Sequence, residues 1–523
     1  MSVQIKTPYS IRLGIVGAGT MGSGIALTAL YTNMVVTLYD ISPEMLAQAR
    51  EYIEKYLTRK DMRISMQHLT LTTNLEDLKG AGVVIEAASE DLEIKKELFK
   101  HLDELCPPPT ILATNTSTLP VTAIAAATCS PGRVAGMHFF NPAPILPLVE
   151  VVQGAQTSLD TLQSLVTLSE ILGKTAVIAR DTPGFIVNRV ARPFYGEALR
   201  LLGERVATHE EIDRLVRIGG GFHMGPFQLM DLIGIDINLA AMQSMYEQSF
   251  GEPRYRPHPL QIQKVYQGTL GRKSGQGFYS YGLENSQEDP SPAHIGKRSG
   301  NVRLTSGTWA PHLAEICRKA GYKLTNGTAS KPEQPLIGIA MAGKSEGLER
   351  FLVQMDRNLP PETPILCQCD DVTLTEAATW IRRPERLVGF DGLFFYNGPI
   401  ATLVASPTLT PRAHAAVEDF IHSLGRLAIW IQDGPALVLP RIICMLANEA
   451  AFATGEGVAE MNVIDKAMQL GTNYPKGPLA WAKEIGYAHV TGVLDHLHYE
   501  YGEERYRVAP LLRRWARLEH VTA

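Results

Sequence analysis

Cysteine is scarce in this chain, with six residues spread over 523 positions and no CxxC pair among them. Secreted scaffolds that depend on disulfides carry a much higher density of cysteine, so we expect reduced thiols and a cytoplasmic protein. Cys367 and Cys369 are close enough in sequence to suggest a metal site, but no further ligand partners are visible near them. We therefore predict that both are buried strand residues and that the chain has no metal site.

Basic charge is not in excess either. The formal net charge is -5 and the pI is about 6.3, so the chain provides no positive field that would gather the phosphates of a nucleic acid. Hydrophobic residues make up 45% of the sequence and charged residues 20%, which argues against a disordered or fibrous protein. The chain is too long for one hydrophobic core, and we expect roughly three or four folding units.

Charge is absent altogether from Leu13 to Tyr39, and Lys6 and Arg12 precede this segment as they would in a signal peptide. Five glycines interrupt the segment, at Gly14, Gly17, Gly19, Gly22 and Gly24. Because glycines at this density are typical of a nucleotide-binding βαβ unit, we expect no membrane segment.

A glycine-rich motif directly follows the first apolar run, Arg12 to Val16, which we expect to be a strand. Gly17 permits a tight turn, Gly19 lets the backbone approach a pyrophosphate, and Gly22 lets the next helix pack closely on its strand. The N-terminus of that helix would face the phosphates. The predicted cofactor contacts of this loop are Gly17, Gly19, Thr20, Met21 and Gly22.

Asp40 follows the next apolar run, Val35 to Tyr39. An acid at this place accepts hydrogen bonds from the ribose diol of adenosine and repels a 2′-phosphate, so the sequence predicts NAD rather than NADP. The alternative is a tight glycine turn that binds no ligand, but such a turn gives no reason for the acid.

Three further apolar runs, Gly82 to Ala87, Thr110 to Thr114 and Arg133 to Met137, alternate with helix-like sequence. This pattern predicts an α/β fold with a doubly wound parallel sheet of Rossmann type. Ligands of such sheets bind beyond the carboxyl ends of the strands. The polar residues predicted at these ends are Ser89, Glu90, Asn115, Thr116, Ser117, His138 and Asn141.

His138 closes one of these strands, and Glu150 interrupts the apolar segment Leu148 to Val152. A buried carboxylate needs a partner. Imidazole is suitable, because a carboxylate on one ring nitrogen fixes the tautomer while the other nitrogen takes a proton. A lone histidine is more often structural, but this one lies beside a nucleotide site, so we predict a general base held by an acid.

Five segments of the first half resemble the L-3-hydroxyacyl-CoA dehydrogenases of fatty-acid oxidation, and the resemblance extends over residues 11 to 283. They are Val84–Ala87, Ala113–Ser117, Gly136–Pro142, Leu148–Val152 and Asp181–Arg189. The resemblance implies NAD-dependent oxidation of the 3-hydroxyl group of an acyl-CoA thioester.

By position in these segments, His138 resembles the base of the family and Glu150 its orienting partner. Ser117 and Asn188 resemble the residues that hydrogen-bond the substrate oxygen as the alcohol becomes a ketone. The cofactor contacts that the resemblance implies near the nicotinamide ribose are Glu90, Lys95 and Asn115.

The patterns divide the chain into five parts. We predict an NAD-binding domain at 1–180, a helical substrate domain at 181–283, a linker rich in glycine, serine and proline at 284–308, a truncated Rossmann-like repeat at 309–432 and a second helical domain at 433–516.

The second half resembles a repeat of the first, and from Gly425 onwards the spacing is constant at 252 residues. Gly425, Asp433, Arg441 and Glu449 follow Gly173, Asp181, Arg189 and Glu197 at this spacing. The site residues are replaced in the copy, with Asp391 at the place of His138, Ala405 at that of Glu150, about Asp371 at that of Ser117 and Pro440 at that of Asn188. We predict a silent copy whose helical domain docks on the first as a second subunit would, and association of whole chains stays open.

Gly338 to Ser345 match the P-loop pattern GxxxxGK[ST], which would imply an ATPase in the second half and a role for Lys344. Aligned as a repeat, Gly338-Ile339-Ala340 falls on Gly14-Ile15-Val16, inside a strand. Glu346 then replaces a glycine at the helix start, where an acid would repel phosphate. We expect that no nucleotide binds there.

The two-copy arrangement and the segment Asn188 to Pro193 most resemble the bacterial members of the family that act on 3-hydroxyadipyl-CoA in phenylacetate breakdown. Arg192 follows Asn188 by four residues, on the same face of a predicted helix, and its planar fork suits a terminal carboxylate. The alternatives are a surface arginine or one paired with Glu197, and Pro193 is a reason for the helix to bend. The alternative substrates that stay open are 3-hydroxybutyryl-CoA and a medium-chain 3-hydroxyacyl-CoA.

Two other classes of protein stay open on the sequence alone. Dehydrogenases of 3-hydroxyisobutyrate and of sugar acids also pair a GxGxxG domain with a helical domain, but they generally rely on a lysine base. The other class is a non-catalytic protein that only retains NAD, against which the intact set of His138, Glu150, Ser117 and Asn188 argues.

Overall fold

The computed structural model of the chain describes residues 12–282, 299–307, 309–326, 335–342 and 345–522. The chain divides into two units, which we describe separately. One comprises Met1–Val190 with Ala453–Asn473, and the other comprises Ala191–Phe452 with Tyr474–Ala523. Within the described ranges, no helix is both long enough and apolar enough to cross a membrane.

An eight-stranded sheet forms the centre of the first unit. Its strands are β1 (Arg12–Val16), β2 (Val35–Tyr39), β3 (Leu69–Thr72), β4 (Val83–Glu86), β5 (Ile111–Thr114), β6 (Val134–Phe139), β7 (Leu148–Gln153) and β8 (Thr175–Arg180). Their order across the sheet is β3-β2-β1-β4-β5-β6-β7-β8. The chain thus winds outwards in both directions from β1 and β4, which confirms the predicted doubly wound sheet of Rossmann type.

The sheet departs from the prediction at β6 and β7, which pair antiparallel, whereas the other neighbouring strands pair parallel. Residues 140–147 connect these two strands. A parallel crossover needs about a dozen residues or more, so this connection is too short for one. The short connection between the two apolar runs was therefore the signal, available from the sequence, that β7 runs antiparallel to β6.

Helices cover both faces of this sheet. They are α1 (Thr20–Tyr31), α2 (Pro43–Arg59), α3 (Leu92–Leu105), α4 (Val121–Ala125) and α5 (Leu159–Ile171), and α6 (Val187–Val190) follows β8. Side chains of α1, α2 and α5 form one core with the sheet, and those of α3 and α4 belong to a second core. Strands β4, β5 and β6 are buried along their whole length, as expected of strands covered on both faces.

The second unit contains a sheet of the same topology. Its described strands are β9 (Asn301–Leu304), β10 (Lys323–Asn326), β11 (Ile337–Ala340), β12 (Ile365–Gln368), β13 (Leu387–Phe390), β14 (Ile400–Ala405) and β15 (Leu427–Ile431). The order β10-β9-β11-β12-β13-β14-β15 repeats that of the first sheet from β2 to β8. The pair β13 and β14 is again antiparallel, as β6 and β7 are. The predicted second copy is confirmed at the level of the fold.

The copy begins earlier than predicted. Strand β9 lies inside the segment 284–308 that we expected to be a linker, of which residues 284–298 and 308 lie outside the described ranges. Arg303 in β9 is fully buried. A charged residue in so short a strand breaks the apolar pattern, and this is why the sequence did not indicate a strand here.

The predicted alignment of Gly338-Ile339-Ala340 with Gly14-Ile15-Val16 is wrong. These residues do lie inside a strand, β11, as predicted, but β11 pairs with β9 and β12 and so holds the place of β4 in the first sheet. Lys344, on which an ATP site would depend, lies outside the described residues.

The remaining helices are α7 (Arg192–Gly203), α8 (His209–Arg214), α9 (Pro226–Ile233), α10 (Ile235–Gln248), α11 (Pro259–Tyr266), α12 (Ala310–Lys319), α13 (Ser345–Asn358), α14 (Leu374–Thr379), α15 (Pro411–Ser423), α16 (Leu439–Gly455), α17 (Met461–Thr472), α18 (Pro478–Ile485), α19 (Tyr487–Tyr501) and α20 (Pro510–Thr522). Of these, α17 belongs to the first unit. Helices α9 and α10 correspond to α18 and α19, since Gly234 and Gly486 separate each pair with the same positive φ conformation.

The two helical copies contact each other in the second unit through a duplicated ion-pair cluster. Glu197 binds the Arg441 guanidinium at 2.8 Å and accepts a hydrogen bond from the Tyr506 hydroxyl at 3.0 Å. Glu449, the repeat partner of Glu197, accepts from the Tyr255 hydroxyl at 2.7 Å. Reciprocal contacts of this kind are typical of an isologous dimer interface. The expected in-chain pairing of the helical copies is therefore present.

Candidate active site

The loop between β1 and α1 leaves room for close approach of a ligand. Gly17 has a φ of +99°, and a Cβ at Gly22 would lie 1.8 Å from the Gly17 carbonyl oxygen, so neither position accepts a side chain. A Cβ at Gly19 would meet no atom within 4 Å. Gly19 caps α1 without a side-chain hydrogen bond, so no capping side chain competes for the N–H groups at the helix start, where the sequence predicts that Thr20 and Met21 contact a phosphate. The loop fits the pyrophosphate of NAD.

Asp40, after β2, is tied to this loop by its carboxylate. Its Oδ2 accepts a hydrogen bond from the Ala18 N–H at 2.7 Å, and its Oδ1 accepts one from the Ser42 N–H at 2.9 Å. Each carboxylate oxygen has a further lone pair, so the ribose diol can still donate to Asp40. The acid that the sequence predicted for ribose recognition therefore also shapes the phosphate loop.

A buried acid at the end of β4, Glu86, joins three elements, and the sequence analysis assigned it no role. Its carboxylate accepts hydrogen bonds from the Lys95 ammonium at 2.5 Å, the Ala88 N–H at 2.7 Å and the Thr114 hydroxyl at 2.7 Å. Glu86 and Lys95 are both almost completely buried. The available signal was the single charged residue at the end of an otherwise apolar strand.

Lys95, which the resemblance implies as a cofactor contact, is thus directed into the protein towards Glu86. It also lies 3.5 Å from Glu90 Oε2. Glu90 Oε1 accepts hydrogen bonds from the Thr116 hydroxyl at 2.6 Å and from the Ser117 N–H at 2.9 Å. Burial alone would raise the pKa of Glu90, but Lys95 and these donors hold that pKa below its usual value. Glu90 is therefore an anchored carboxylate that orders the loop after β5.

His138 on β6 lies directly opposite Glu150 on β7 in the antiparallel register. Glu150 Oε2 accepts a hydrogen bond from His138 Nδ1 at 2.7 Å, and both side chains are buried. The other carboxylate oxygen accepts from the N–H groups of Ile186 and Val187, each at 3.0 Å. The structure thus brings together the two residues that the sequence paired, and it fixes the carboxylate on both oxygens.

The polar residues expected around the substrate also converge within the first unit. Asn188 donates a hydrogen bond from Nδ2 to the Ser117 carbonyl oxygen at 3.2 Å, and the Ser117 hydroxyl donates to Glu90 at 3.2 Å. Asn115 Oδ1 accepts from the Phe139 N–H at 2.8 Å, next to His138 in β6. Asn115 therefore ties the end of β5 to the end of β6.

Arg192 is the first residue of α7, and the helix that we predicted to continue from Asn188 is interrupted at Ala191. Pro193 explains the interruption because it has no N–H to donate within a helix. Ala191 nevertheless keeps right-handed dihedral angles, with φ -76° and ψ -11°. The chain therefore keeps its helical sense between Asn188 and Arg192.

The side chain of Arg192 is only 4% exposed, so it is not a surface arginine. Its guanidinium lies over the Tyr195 ring, 5.2 Å from the centroid. Burial lowers the pKa of Arg192, while Tyr195 and Tyr474 act in the opposite direction. The alternative partner considered from the sequence, Glu197, is bound to Arg441.

The second sheet carries different residues at the corresponding end. Asp391 follows β13 as predicted for the counterpart of His138, and its N–H points to the Thr402 carbonyl in the antiparallel register. Thr402 is therefore the counterpart of Glu150, and the predicted Ala405 is wrong. The register of β12 on β13 likewise places Asp370, rather than Asp371, at the position of Ser117.

These replacements make a buried acidic pair. Burial raises the pKa of Asp391 to about 7, and burial together with Asp391 raises the pKa of Asp370 well above its usual value. Asp370 accepts hydrogen bonds from the Gln368 amide at 2.6 Å and the Gly392 N–H at 3.0 Å. The second copy thus has two carboxyl groups at the positions of His138 and Ser117.

The glycine motif is also missing after β9, where Thr305 and Gly307 follow the strand. Trp309, at the start of α12, stacks on Tyr396 from the loop after β13, with the ring centroids 5.1 Å apart and the planes at 13°. Aromatic packing therefore joins two loops at the edge of the sheet where the first copy has its phosphate loop.

Comparisons with known proteins match separate segments of the chain to two family models. The family model of the NAD-binding domain of 3-hydroxyacyl-CoA dehydrogenase matches residues 12–182, and that of the C-terminal domain matches residues 184–281 and again 437–522. Over 99% of both chains, the protein is 37% identical to 3-hydroxyadipyl-CoA dehydrogenase of Escherichia coli (strain K12). Over 279 residues, or 52% of this chain, the protein is 43% identical to a probable 3-hydroxybutyryl-CoA dehydrogenase of Bacillus subtilis (strain 168), of which 97% is covered.

A crystal structure of a 3-hydroxybutyryl-CoA dehydrogenase from Escherichia coli K12 is similar along the whole chain. It covers 98% of this chain and 99% of its own, with 36% identity and a TM-score of 0.81.

Proposed function

The chain belongs to the 3-hydroxyacyl-CoA dehydrogenase family, and from this premise we propose that it oxidises 3-hydroxyadipyl-CoA with NAD. The observation that carries the reaction is the buried His138–Glu150 pair, 2.7 Å apart at the carboxyl end of the sheet. The proposal for the substrate rests on similarity over 99% of both chains to an enzyme of that name.

In the proposed reaction His138 is the general base. Glu150 accepts the hydrogen of Nδ1, so Nε2 carries the lone pair that takes the proton of the 3-hydroxyl group. NAD, when bound, supplies the acceptor for the hydride that leaves carbon 3. Glu150 then stabilises the imidazolium, and it keeps its own position because Ile186 and Val187 hold its second oxygen.

Ser117 and Asn188 are proposed to bind the substrate oxygen. Asn188 already donates to the Ser117 backbone carbonyl, and the Ser117 hydroxyl is within hydrogen-bond distance of Glu90. A hydroxyl rotates freely about its C–O bond, so Ser117 can turn from Glu90 to a ligand at little cost. Two neutral donors at this place would stabilise negative charge on the oxygen as the ketone forms.

Arg192 is proposed to recognise the terminal carboxylate of the acyl chain. Three observations support the proposal: it lies four residues after Asn188 in the chain, its guanidinium is buried, and a planar fork binds carboxylates through two parallel hydrogen bonds. A carboxylate would also stabilise the charged form of a guanidinium whose pKa burial lowers.

A second candidate substrate is 3-hydroxybutyryl-CoA. The solved structure that matches this chain over 98% of its length carries that name, as do relatives that match 52% of the chain. The two candidates differ at the far end of the acyl chain, where one has a carboxylate and the other a methyl group.

The test is NADH formation from acyl-CoA thioesters with and without a terminal carboxylate. Arg192→Met should lower kcat/KM for 3-hydroxyadipyl-CoA. The loss should correspond to about 2 to 5 kcal/mol of binding free energy in the transition state, the usual cost when a buried charge loses its partner. Activity on 3-hydroxyhexanoyl-CoA should hold steady or rise. Arg200→Met, on the same helix and paired with Glu503, is the matched control and should affect both substrates equally. Equal losses with Arg192→Met would remove the proposed specificity.

We also propose a cytoplasmic location, which the six free cysteines support. The pairing of two helical copies within one chain supports the further proposal that the chain needs no second subunit, and sedimentation of the purified protein tests it.

A further inference from the structure

A cluster of three possible ligands lies in the second unit, on residues that the proposed reaction does not use. Glu376 stands on α14, and His496 and Glu500 stand on α19. One ring nitrogen of His496 and one carboxylate oxygen of each glutamate all lie within 4.8 Å of one another. We propose that these side chains bind a divalent transition-metal ion of the zinc class, which would tie α14 of the degenerate α/β copy to α19 of the second helical copy.

His496 is the residue that distinguishes this cluster from an ordinary acidic surface. It is about nine-tenths buried, with 9% of its surface exposed, and its Nε2 has no hydrogen-bond partner among the described residues. A buried polar atom without a partner is unfavourable. Burial lowers the pKa of His496, with Glu500 and Glu376 acting in the opposite direction, and the neutral ring is the form that binds metals.

The two glutamates supply the charge. His496 and Glu500 are four residues apart on α19 and so lie on one face of the helix. Within the described ranges, neither Glu376 nor Glu500 forms an ion pair with a lysine or arginine. Both are exposed, so their side chains can move the last distance towards an ion.

The donor set selects the kind of ion. One imidazole nitrogen with two carboxylates suits zinc and its neighbours, whereas calcium and magnesium prefer oxygen ligands alone. Ligands at about 2.0 to 2.2 Å from zinc lie roughly 3.5 Å apart in a tetrahedron, so the cluster needs to contract by about 1 Å. Water would complete the coordination.

The first copy shows that the fold itself does not require this cluster. At the repeat spacing of 252 residues, Ser244 and Gln248 on α10 stand in place of His496 and Glu500, and Gln248 donates a hydrogen bond to the Ser244 hydroxyl at 2.8 Å. On α10 these positions therefore carry two neutral side chains that hydrogen-bond each other, whereas on the equivalent helix α19 they carry potential metal ligands.

The third position differs in the same way. Thr122 and Thr375 are equivalent, because each donates its N–H and its hydroxyl to the aspartate that caps its helix. The next residue is Ala123 in the first copy and Glu376 in the second. All three proposed ligands are thus particular to the second copy.

The test uses the full-length chain after removal of metals with a chelator. Zn²⁺ is titrated by calorimetry, and Co²⁺ is titrated by visible absorption. We expect one ion per chain and a higher Tm with zinc. His496→Ser combined with Glu500→Gln, which restores the pair of the first copy, should weaken binding by about tenfold or more and abolish the shift in Tm, and Glu376→Ala should also weaken it.

His414 and Glu418 provide the matched control. They are another histidine and glutamate four residues apart, on α15, with atoms 3.8 Å from each other and outside the three-ligand cluster. His414→Ser combined with Glu418→Gln should bind zinc as the unaltered chain does. Dehydrogenase activity should be retained in all variants and serves as the check of folding.

Three results would overturn the proposal. The first is unchanged zinc affinity in both the double variant and Glu376→Ala, and the second is no binding to the unaltered chain. The third is a cobalt spectrum with a sulfur charge-transfer band, which would assign the ion to cysteine. If the double variant does not fold, Glu376→Ala still decides, since Glu376 is exposed.

Discussion

The two sheets share a topology but differ in the polar residues at the carboxyl ends of their strands. In the first copy His138 lies opposite Glu150, and in the second Asp391 lies opposite Thr402 at the same register position. The strand order of the first sheet from β2 to β8 and its antiparallel pair both recur in the second sheet. A few polar side chains at the strand ends therefore carry the proposed chemistry, while backbone pairing and apolar strands carry the fold.

Features that support the fold are retained in both copies. Asp181 accepts hydrogen bonds from the first N–H groups of α4, at 3.1 and 2.7 Å, and Asp433 does the same for α14, at 3.0 and 2.7 Å. An acid at a helix N-terminus satisfies donors that have no partner within the helix. This contribution does not depend on the proposed reaction, so it explains why Asp181 and Asp433 match although His138 and Glu150 have no match in the second copy.

The largest expected difference between the copies is in turnover. His138→Gln should lower kcat by about 100-fold to 10,000-fold, the usual contribution of a general base, and should leave NAD binding intact. Asp391→Asn, the matched change in the second copy, should leave kcat unchanged. The measurement is steady-state NADH formation together with NAD titration of each variant. Comparable losses from the two changes would mean that the second copy takes part in the reaction.

A smaller difference is expected in cofactor binding. Calorimetry should find one NAD per chain, because only the first copy has the glycine loop with an acid after the second strand. Asp40→Ala should weaken NAD by about 10-fold to 100-fold, the range of a hydrogen bond to a charged group, and should reduce the preference over NADP. A stoichiometry of two, or an unchanged preference between the cofactors, would contradict this assignment.

The smallest expected effect concerns the pH dependence of stability. The folded chain keeps the proton of Asp391 up to about pH 7, whereas an unfolded aspartate loses it near pH 4. The folded state therefore binds more protons in this interval, and the free energy of unfolding falls as the pH rises through it. Asp391→Asn removes this ionisation, so urea denaturation of the variant should lose less stability between about pH 5 and pH 8.

The control for this measurement is Thr402→Val, at the residue opposite Asp391, which removes no ionisable group. It should follow the pH dependence of the unaltered chain. If Asp391→Asn follows the unaltered chain as well, the raised pKa of Asp391 makes no contribution to stability.

Much of the first copy was predictable because its signals are local. The glycine motif, Asp40 and the apolar runs each depend on a few neighbouring residues, and they led to the Rossmann fold and to NAD. The pairing of His138 with Glu150 was also expected, since a charged residue in a buried strand needs a partner. The roles of these residues in the reaction stay predictions.

The second copy was harder to predict because its signals are weak. Arg303 interrupts the apolar pattern of β9, and the repeat was therefore predicted to begin two described strands too late, at Gly338 in β11. Counting along the sequence gave Ala405 as the counterpart of Glu150, whereas strand pairing gives Thr402. An error of a few residues in the alignment changes which side chains lie opposite each other in the sheet. Equivalent residues therefore have to be assigned from the strand register and not by counting along the sequence.

The sequence by itself determined the type of fold and the cofactor, and it predicted the pairing of His138 with Glu150. Only the tertiary structure decided that β7 runs antiparallel to β6, so that Glu150 stands directly opposite His138. It also decided that Lys95 forms a buried ion pair with Glu86. The reason is physical. Turns, helix starts and apolar periodicity are fixed by residues close in the chain, but strand register and buried polar networks are fixed by residues that meet only when the sheet is assembled.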